Sequence, residues 1–162
     1  MQPVFLLDLL RELKLGLNPI HTALETSGYG DPGVFKPAVE LADLTLFDLK
    51  LTDPAAHRKY TGADNRLILR NFEVLKASGK PFTARMPLIP GVNDTKEHFT
   101  ATAELLGEVK DRVNVEILSY NPLAGAKYTA VGLDFEPEYD EYAPVICHIG
   151  LLEEAGILVR VL

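Results

Sequence analysis

The stretch Leu44-Thr45-Leu46-Phe47-Asp48-Leu49-Lys50 is typical of a buried strand that ends in two opposite charges. Side chains alternate along a strand with a period of two, so Asp48 and Lys50 face one side while Phe47 and Leu49 face the other. Charged residues are uncommon inside sheets unless they are paired or in use. Two interpretations are therefore open: a strand end whose charges are merely solvated, and a strand that delivers an acid and a base to a site.

Three further predicted strands carry polar groups where they end. These are Glu25 and Thr26 after the strand at 20–24, Arg85 within the strand at 81–88, and Tyr120 and Asn121 at the end of the strand at 113–120. Because parallel sheets are covered on both faces, so many polar groups at strand ends indicate a shared site better than casual solvation.

The strands lie about 25 to 35 residues apart, which predicts parallel strands joined by helical crossovers. Helices are predicted at 3–15, 35–41, 53–60, 65–78, 94–109 and 138–155, with a closing strand at 157–162. We expect one α/β domain over residues 1–162, a partial (β/α) barrel of parallel strands, with a doubly wound sheet as the alternative. A complete eightfold barrel takes about 250 residues. In either fold, ligands bind at the carboxyl ends of the strands.

Composition excludes several classes of protein. The 162 residues are 47% hydrophobic and carry a net charge of -7, which argues against binding to nucleic acid or to an anionic membrane surface. No apolar run approaches the roughly 20 residues of a membrane span. The start, Met1-Gln2-Pro3, lacks the features of a secretory signal, so the prediction is a cytoplasmic protein.

Cysteine and histidine offer no metal centre. Cys147 is the only cysteine, is predicted to be buried and inert on the last helix, and cannot alone hold an iron–sulfur cluster. His21 is predicted to be structural, and His57 and His98 to be solvent-exposed at the starts of helices. No two histidines have the spacing of a zinc site.

The charged residues at the strand ends suit recognition of a zwitterion. Arg85 and Lys50 can neutralise a carboxylate, the arginine through its planar fork and the lysine as a point charge. Glu25 and Asp48 can hold an ammonium group or a hard cation. The alternative is an internal salt bridge, such as Asp48 to Arg85.

Four motifs in order resemble the radical S-adenosylmethionine activating enzymes of glycyl-radical enzymes, above all those of the pyruvate formate-lyase type. The motifs are Leu24-Glu25-Thr26-Ser27-Gly28-Tyr29, then Phe47-Asp48-Leu49-Lys50, then His57 through Thr61-Gly62 and Asn65, then Arg85-Met86-Pro87-Leu88-Ile89-Pro90-Gly91-Val92-Asn93-Asp94. The similarity covers nearly the whole chain and implies a partial (β/α)6 barrel.

The resemblance also implies roles for individual residues. Glu25, Asp48, Lys50, Arg85 and Asn121 fall on positions at the S-adenosylmethionine site, although Glu25 replaces an aspartate of many relatives and Asn121 a histidine of some. Of these residues, Glu25 and Asp48, together with Thr26, fall near a monovalent-cation site. In that family a [4Fe-4S] cluster cleaves S-adenosylmethionine reductively, and the resulting 5′-deoxyadenosyl radical removes a hydrogen from a backbone glycine of the partner.

One departure from the family is large. The three-cysteine cluster loop and the Gly-Gly-Glu-Pro segment are absent, and Met1-Gln2-Pro3 resembles the continuation just after them. We therefore expect a C-terminal part of an activating enzyme that holds no cluster ligands and is inactive alone. Its expected partner is a glycyl-radical enzyme, bound through that enzyme's glycine loop. The strand at 20–24 is expected to form an exposed edge that favours self-association.

Two other functions are compatible with the residues. An unrelated α/β-barrel lyase or aldolase would use Lys50 as a Schiff-base lysine, because burial can make a lysine nucleophilic. A non-catalytic module would dock the glycine loop of a glycyl-radical enzyme through the open barrel mouth and the loop at 123–137.

Overall fold

The computed structural model describes residues 2–15 and 17–162. Met1 and Gly16, the latter at the predicted end of the first helix, lie outside the described residues. The strands are β1 (Ala23–Thr26), β2 (Leu44–Asp48), β3 (Phe82–Pro87), β4 (Val113–Leu118) and β5 (Leu158–Val161). The helices are α1 (Pro3–Glu12), α2 (Pro32–Leu41), α3 (Pro54–Thr61), α4 (Arg66–Ala77), α5 (Lys96–Gly107), α6 (Ala124–Ala130) and α7 (Ile149–Glu154).

All five strands are parallel and follow one another in the order of the sequence, β1-β2-β3-β4-β5. A doubly wound sheet reverses its strand order at a switch point, and this sheet does not. The sequential order is that of a barrel wall, so the predicted partial barrel is confirmed and the doubly wound alternative is wrong.

The hydrophobic core lies between the sheet and its helices. The rings of Phe47, Phe72 and Phe82 pack in a chain, with centroids 5.1 Å apart for Phe47 and Phe72 and 5.6 Å apart for Phe72 and Phe82. As predicted, Phe47 and Leu49 are fully buried. Alternation along β2 then leaves Asp48 on the opposite, open face.

Three helices begin at a residue whose side chain caps the first turn, namely α2 at Asp31, α3 at Asp53 and α5 at Thr95. Asp53 caps α3, and its carboxylate accepts a hydrogen bond from the Ala56 backbone N–H at 2.6 Å. At α5 the cap is Thr95, whose hydroxyl accepts from the His98 N–H at 3.2 Å. Asp94, the first residue of the helix predicted at 94–109, lies before α5 and accepts from the N–H groups of Gly91 at 2.8 Å and Ile146 at 3.1 Å. It therefore ties the turn after β3 to the segment before α7.

The predicted helix at 138–155 is wrong over its first half, because helix α7 spans only Ile149–Glu154. Pro144 lies inside the predicted helix, and proline removes a backbone hydrogen bond and clashes with the preceding turn. Cys147 consequently lies outside a helix and is exposed, not buried as predicted. Within the predicted loop at 123–137, the short helix α6 forms. Across the described part of the chain, no helix has the length and apolar character that a membrane crossing requires.

Candidate functional site

The open face of the sheet carries a row of charges that alternate in sign from strand to strand. Asp48 on β2 pairs in register with Arg85 on β3, Arg85 with Glu116 on β4, and Glu116 with Arg160 on β5. Residues that pair in a parallel ladder lie side by side on the same face. This row lies opposite the face that packs against the helices.

Arg85 lies between two carboxylates of this face. Its Nη1 atom is 2.6 Å from Oε1 of Glu25 on β1, and its Nε atom is 3.9 Å from Oε2 of Glu116. Nε is buried and forms no hydrogen bond within the described part of the chain. A buried N–H without an acceptor costs free energy, and the carboxylate of Glu116 lies beside this one.

Lys50 and Asp48 form a second ion pair at the carboxyl end of β2, with Nζ 3.0 Å from Oδ2. The side chains are 39% and 22% exposed, respectively, so both remain accessible to a ligand. Beside them lies a cavity of about 220 Å³. Its lining includes Ser27, Tyr29, Asp48, Lys50, His57 and Thr61.

Four predicted site residues lie close together as expected, but their ion pairs differ from the salt bridge between Asp48 and Arg85 that the sequence analysis considered. Glu25, Asp48, Lys50 and Arg85 gather at one face and edge of the sheet. The predicted alternative of a salt bridge between Asp48 and Arg85 is not what forms, because Arg85 reaches past its neighbour to Glu25. The side chains of Lys50 and Arg85 thus each have a carboxylate partner.

The other predicted site residues use their polar groups locally. Thr26 follows Glu25 in β1 and so points to the opposite face, where its hydroxyl accepts from the Gly28 N–H at 3.0 Å. Asn121 is exposed, and its Oδ1 accepts from the Leu123 N–H at 3.1 Å. Their roles toward a cation and a cofactor stay predictions.

Tyr120, two residues after β4, contacts the segment that precedes α7. Its hydroxyl donates to Oε1 of Glu141 at 2.7 Å and lies 3.3 Å from the hydroxyl of Tyr139. Burial and then the hydrogen bond with Glu141 raise the pKa of Tyr120 above its ordinary range. Tyr120 therefore stays protonated and acts as an anchor for this segment.

Glu116 and His57 belong to this region and were not predicted as site residues. The alternating pattern of Val113–Leu118 places Glu116 on the polar face, a signal the sequence does contain. His57 was predicted to be exposed, yet only 4% of its surface is accessible. Its Nδ1 is 2.7 Å from the Ala63 carbonyl oxygen, a partner that the helical pattern alone does not reveal.

His98 is likewise buried, not exposed as predicted, with 4% of its surface accessible. Its Nδ1 is 3.1 Å from the Thr52 hydroxyl, and burial lowers the pKa of His98 to about 4. The ring is therefore neutral at pH 7. Within residues 2–15 and 17–162, no three His, Cys, Asp or Glu side chains cluster so as to hold a metal ion.

The chain is similar in sequence to activating enzymes of several lyases. It is 38% identical over 130 residues to the isethionate sulfite-lyase activating enzyme of Oleidesulfovibrio alaskensis, covering 79% of this chain and 41% of that protein. It is 30% identical over 136 residues to the pyruvate formate-lyase-activating enzyme of Clostridium pasteurianum, covering 84% of this chain and 56% of that protein. The chain thus spans about half the length of the curated relatives it matches. No protein-family model matches it.

A solved structure has the same fold over nearly the whole chain. The crystal structure of a domain of pyruvate-formate lyase-activating enzyme from Bacteroides vulgatus superimposes with a TM-score of 0.73 at 25% identity. The match covers 98% of this chain and 90% of that domain. A domain of this extent is therefore a folded unit in at least one similar protein.

Proposed function

The chain belongs by sequence to the activating enzymes of glycyl-radical enzymes, and we propose that it forms the part of such an activating enzyme that binds S-adenosylmethionine. The observation that carries the proposal is the meeting of two ion pairs, Glu25 with Arg85 and Asp48 with Lys50, on the open face of the sheet. The geometry of these pairs suits a zwitterionic ligand.

The charges of the open face are complementary to that ligand. Glu25, Asp48 and Glu116 contribute three negative charges, and Lys50, Arg85 and Arg160 contribute three positive charges, so the face is neutral as a whole and the complementarity is between single groups. S-adenosylmethionine at neutral pH carries a sulfonium, an ammonium and a carboxylate group, so its net charge is positive. Attraction between single groups of opposite charge favours binding and orients the ligand.

Individual residues receive distinct tasks in this proposal. The Lys50 ammonium and the terminal nitrogens of the Arg85 guanidinium receive the ligand carboxylate. Asp48 and Glu25 receive the ligand ammonium group or a monovalent cation, because carboxylate oxygens suit hard cations. Glu116 neutralises the side of Arg85 that faces β4.

The residues present fit S-adenosylmethionine but not an iron–sulfur cluster held by three cysteines. When bound, S-adenosylmethionine supplies the radical chemistry that removes a hydrogen atom from a glycine of the partner enzyme, provided that a cluster supplies the electron. The 162 residues contain a single cysteine, Cys147. We therefore propose that they bind and orient the ligand, and that alone they catalyse no reaction.

Calorimetric titration of the 162-residue chain with S-adenosylmethionine tests the binding proposal. We expect one ligand per chain, with weaker binding by Asp48→Asn and by Lys50→Met. Lys36→Met is the matched control, because Lys36 lies 4.0 Å from Glu40 on the surface of α2 with 66% of its side chain exposed. No binding, or equal binding by all four proteins, would overturn the proposal.

The proposed lack of activity has its own experiment. The chain is incubated with iron and sulfide under anaerobic conditions, then supplied with a reductant and S-adenosylmethionine. We expect no stable [4Fe-4S] spectrum and no cleavage of the ligand. A stable cluster with cleavage would contradict this expectation.

The proposed partner is a glycyl-radical enzyme that docks its glycine loop at the carboxyl edge of the sheet. Exposed apolar side chains lie on α6 and in the segment that follows it, including Val131 at 70% and Leu133 at 58% exposure. Large exposed apolar groups commonly mark a binding surface. Capture of the chain by a pyruvate formate-lyase-type enzyme, and its loss in Val131→Asp with Leu133→Asp, is the expected result. Retained capture by the double variant would count against this surface.

Self-association through β1 is a further part of the proposal. In the described part of the chain, β1 pairs with β2 on one side only, and Phe5 and Ile20 near it are 67% and 56% exposed. An unpaired strand edge is a template for another chain. Sedimentation is expected to show a concentration-dependent dimer, and a strict monomer would contradict it.

The aldolase alternative is disfavoured by the environment of Lys50. A Schiff-base lysine needs an uncharged amine, which burial or a neighbouring cation produces. Lys50 instead contacts a carboxylate at 3.0 Å, and 39% of its side chain is exposed.

A further inference from the structure

Asn93, in the turn between β3 and α5, is a buried polar residue without an assigned role; only 1% of its surface is accessible. Its Nδ2 donates to the Lys50 carbonyl oxygen at 2.8 Å and to the Pro87 carbonyl oxygen at 2.8 Å. Its Oδ1 accepts from the Ile89 N–H at 2.7 Å. One side chain thus ties the residues after β2 to the end of β3.

This tie acts where the sheet no longer fixes the backbone. Strand β2 ends at Asp48, and Leu49 makes one more ladder hydrogen bond, from its N–H to the Arg85 carbonyl at 2.8 Å. The Lys50 carbonyl lies beyond that point and is held by Asn93. Lysine has a long stem with considerable rotamer freedom, so the position of its ammonium group depends on where its backbone is anchored.

The two residues after Lys50 have a separate support. Asn65, also 1% exposed, donates through Nδ2 to the carbonyl oxygens of Leu51 at 3.0 Å and Thr52 at 2.7 Å. The buried side-chain amides of Asn65 and Asn93 therefore both hold the loop after β2. Of the two, Asn93 holds Lys50, whose side chain reaches the site.

The geometry points to Asn93 as a positioning residue that fixes the Lys50 ammonium beside Asp48 for the carboxylate of the ligand. This inference rests on the proposed function of Lys50. The task requires an amide, because two donors and one acceptor are used at once. Aspartate at this position would place an oxygen against two carbonyl oxygens, and alanine would leave the Lys50 and Pro87 carbonyl oxygens and the Ile89 N–H without this partner.

Two variants and one control test the inference. Asn93→Ala and Asn93→Asp remove the tie, whereas Lys80→Met removes a matched structural tie at the opposite end of the sheet. The Lys80 ammonium donates to three carbonyl oxygens, those of Val39 at 3.1 Å, Glu40 at 2.6 Å and Ala42 at 2.6 Å. All proteins are compared at a temperature at which circular dichroism shows that they are folded.

The first readout is the NMR resonance of the Lys50 ammonium group, which needs no ligand. We expect it to move toward the value of a free lysine in both Asn93 variants and to stay unchanged in Lys80→Met. The second readout is the Kd for S-adenosylmethionine, expected to rise roughly tenfold or more in the Asn93 variants, by analogy with the loss of metal affinity when the partner of a metal-binding side chain is removed.

The two proposals fail in different ways. An unaltered chain that does not bind S-adenosylmethionine refutes the proposed function, and the Lys50 resonance then still decides whether Asn93 positions the ammonium group. A Lys50 resonance that is the same in folded Asn93→Ala and in the unaltered chain overturns the inference. So does a Kd unchanged by Asn93→Ala in a chain that binds the ligand.

Discussion

The guanidinium of Arg85 on β3 contacts the carboxylate of Glu25 on β1 at 2.6 Å, across the intervening strand β2. The two side chains therefore meet over the open face of β2, next to Asp48. This contact joins the first and third strands on the face where a ligand would bind, and it leaves Lys50 with Asp48 as a separate pair.

A double-mutant cycle measures the strength of this contact. Arg85→Met, Glu25→Gln and the combined variant are unfolded in urea. We expect a coupling free energy of about 0.2 to 1 kcal/mol, because exposed ion pairs are screened by water and the Glu25 side chain is 63% exposed. A coupling of zero would show that the two groups do not interact in solution.

The carboxylates of Glu25 and Asp48 on the open face predict discrimination between two related ligands. S-adenosylmethionine carries a sulfonium charge that S-adenosylhomocysteine lacks. We expect the charged ligand to bind more tightly by about 1 kcal/mol, roughly fivefold in Kd. The preference should shrink in Asp48→Asn and at high salt. Equal affinities for both ligands would contradict this electrostatic account.

Burial of His98 predicts a loss of stability in mild acid. Its pKa is about 4 in the folded chain, against 6.5 for an ordinary histidine. The folded state therefore binds fewer protons between these values, and stability present above pH 6.5 falls as the pH falls toward 4, by up to about 3 kcal/mol. Urea unfolding at pH 7 and pH 4.5 measures the change.

The matched variants for this pH dependence are His98→Gln and His21→Gln, since His21 is exposed. The fall in stability should be smaller in His98→Gln and unchanged in His21→Gln. An equal fall in both variants would assign the acid sensitivity to other groups.

The position of Gly28 beneath the site leaves no room for a side chain. Its φ is +72°, and an added Cβ would lie 2.6 Å from Cε2 of the buried Phe47 ring. Gly28→Ala is expected to lower the free energy of unfolding by about 2 to 4 kcal/mol, the sum of backbone strain and overpacking.

Gly62→Ala separates the two contributions to that loss. Gly62 has φ of +81° and nothing within 4 Å of an added Cβ, so only backbone strain of about 1 kcal/mol applies. Thermal denaturation compares the stability of the two variants. An equal loss of stability in both would show that the Phe47 ring moves aside without cost.

Sequence patterns were sufficient for the parts of the fold that depend on local rules. The alternation in β2 placed Phe47 in the core and Asp48 on the open face, as observed. Helix α3 begins at the predicted Asp53 and Pro54. Strand spacing predicted parallel pairing because a parallel connection needs a helical crossover.

Apart from the helix predicted across Pro144, the errors concern side-chain partners that a helical or strand pattern does not specify. His57 and His98 looked exposed at helix starts, yet the Ala63 carbonyl and the Thr52 hydroxyl provide partners that allow their burial. The partner of Arg85 was also not predictable, because side-chain reach across β2 selects Glu25 over the adjacent Asp48.

A crystal structure of the chain with S-adenosylmethionine tests the central claim most directly. We predict that the ligand lies on the open face of the sheet, with its carboxylate at the ammonium of Lys50 and its ammonium group at Asp48 or Glu25. A ligand bound elsewhere, with the ion pairs of Asp48 with Lys50 and Glu25 with Arg85 untouched, would contradict it.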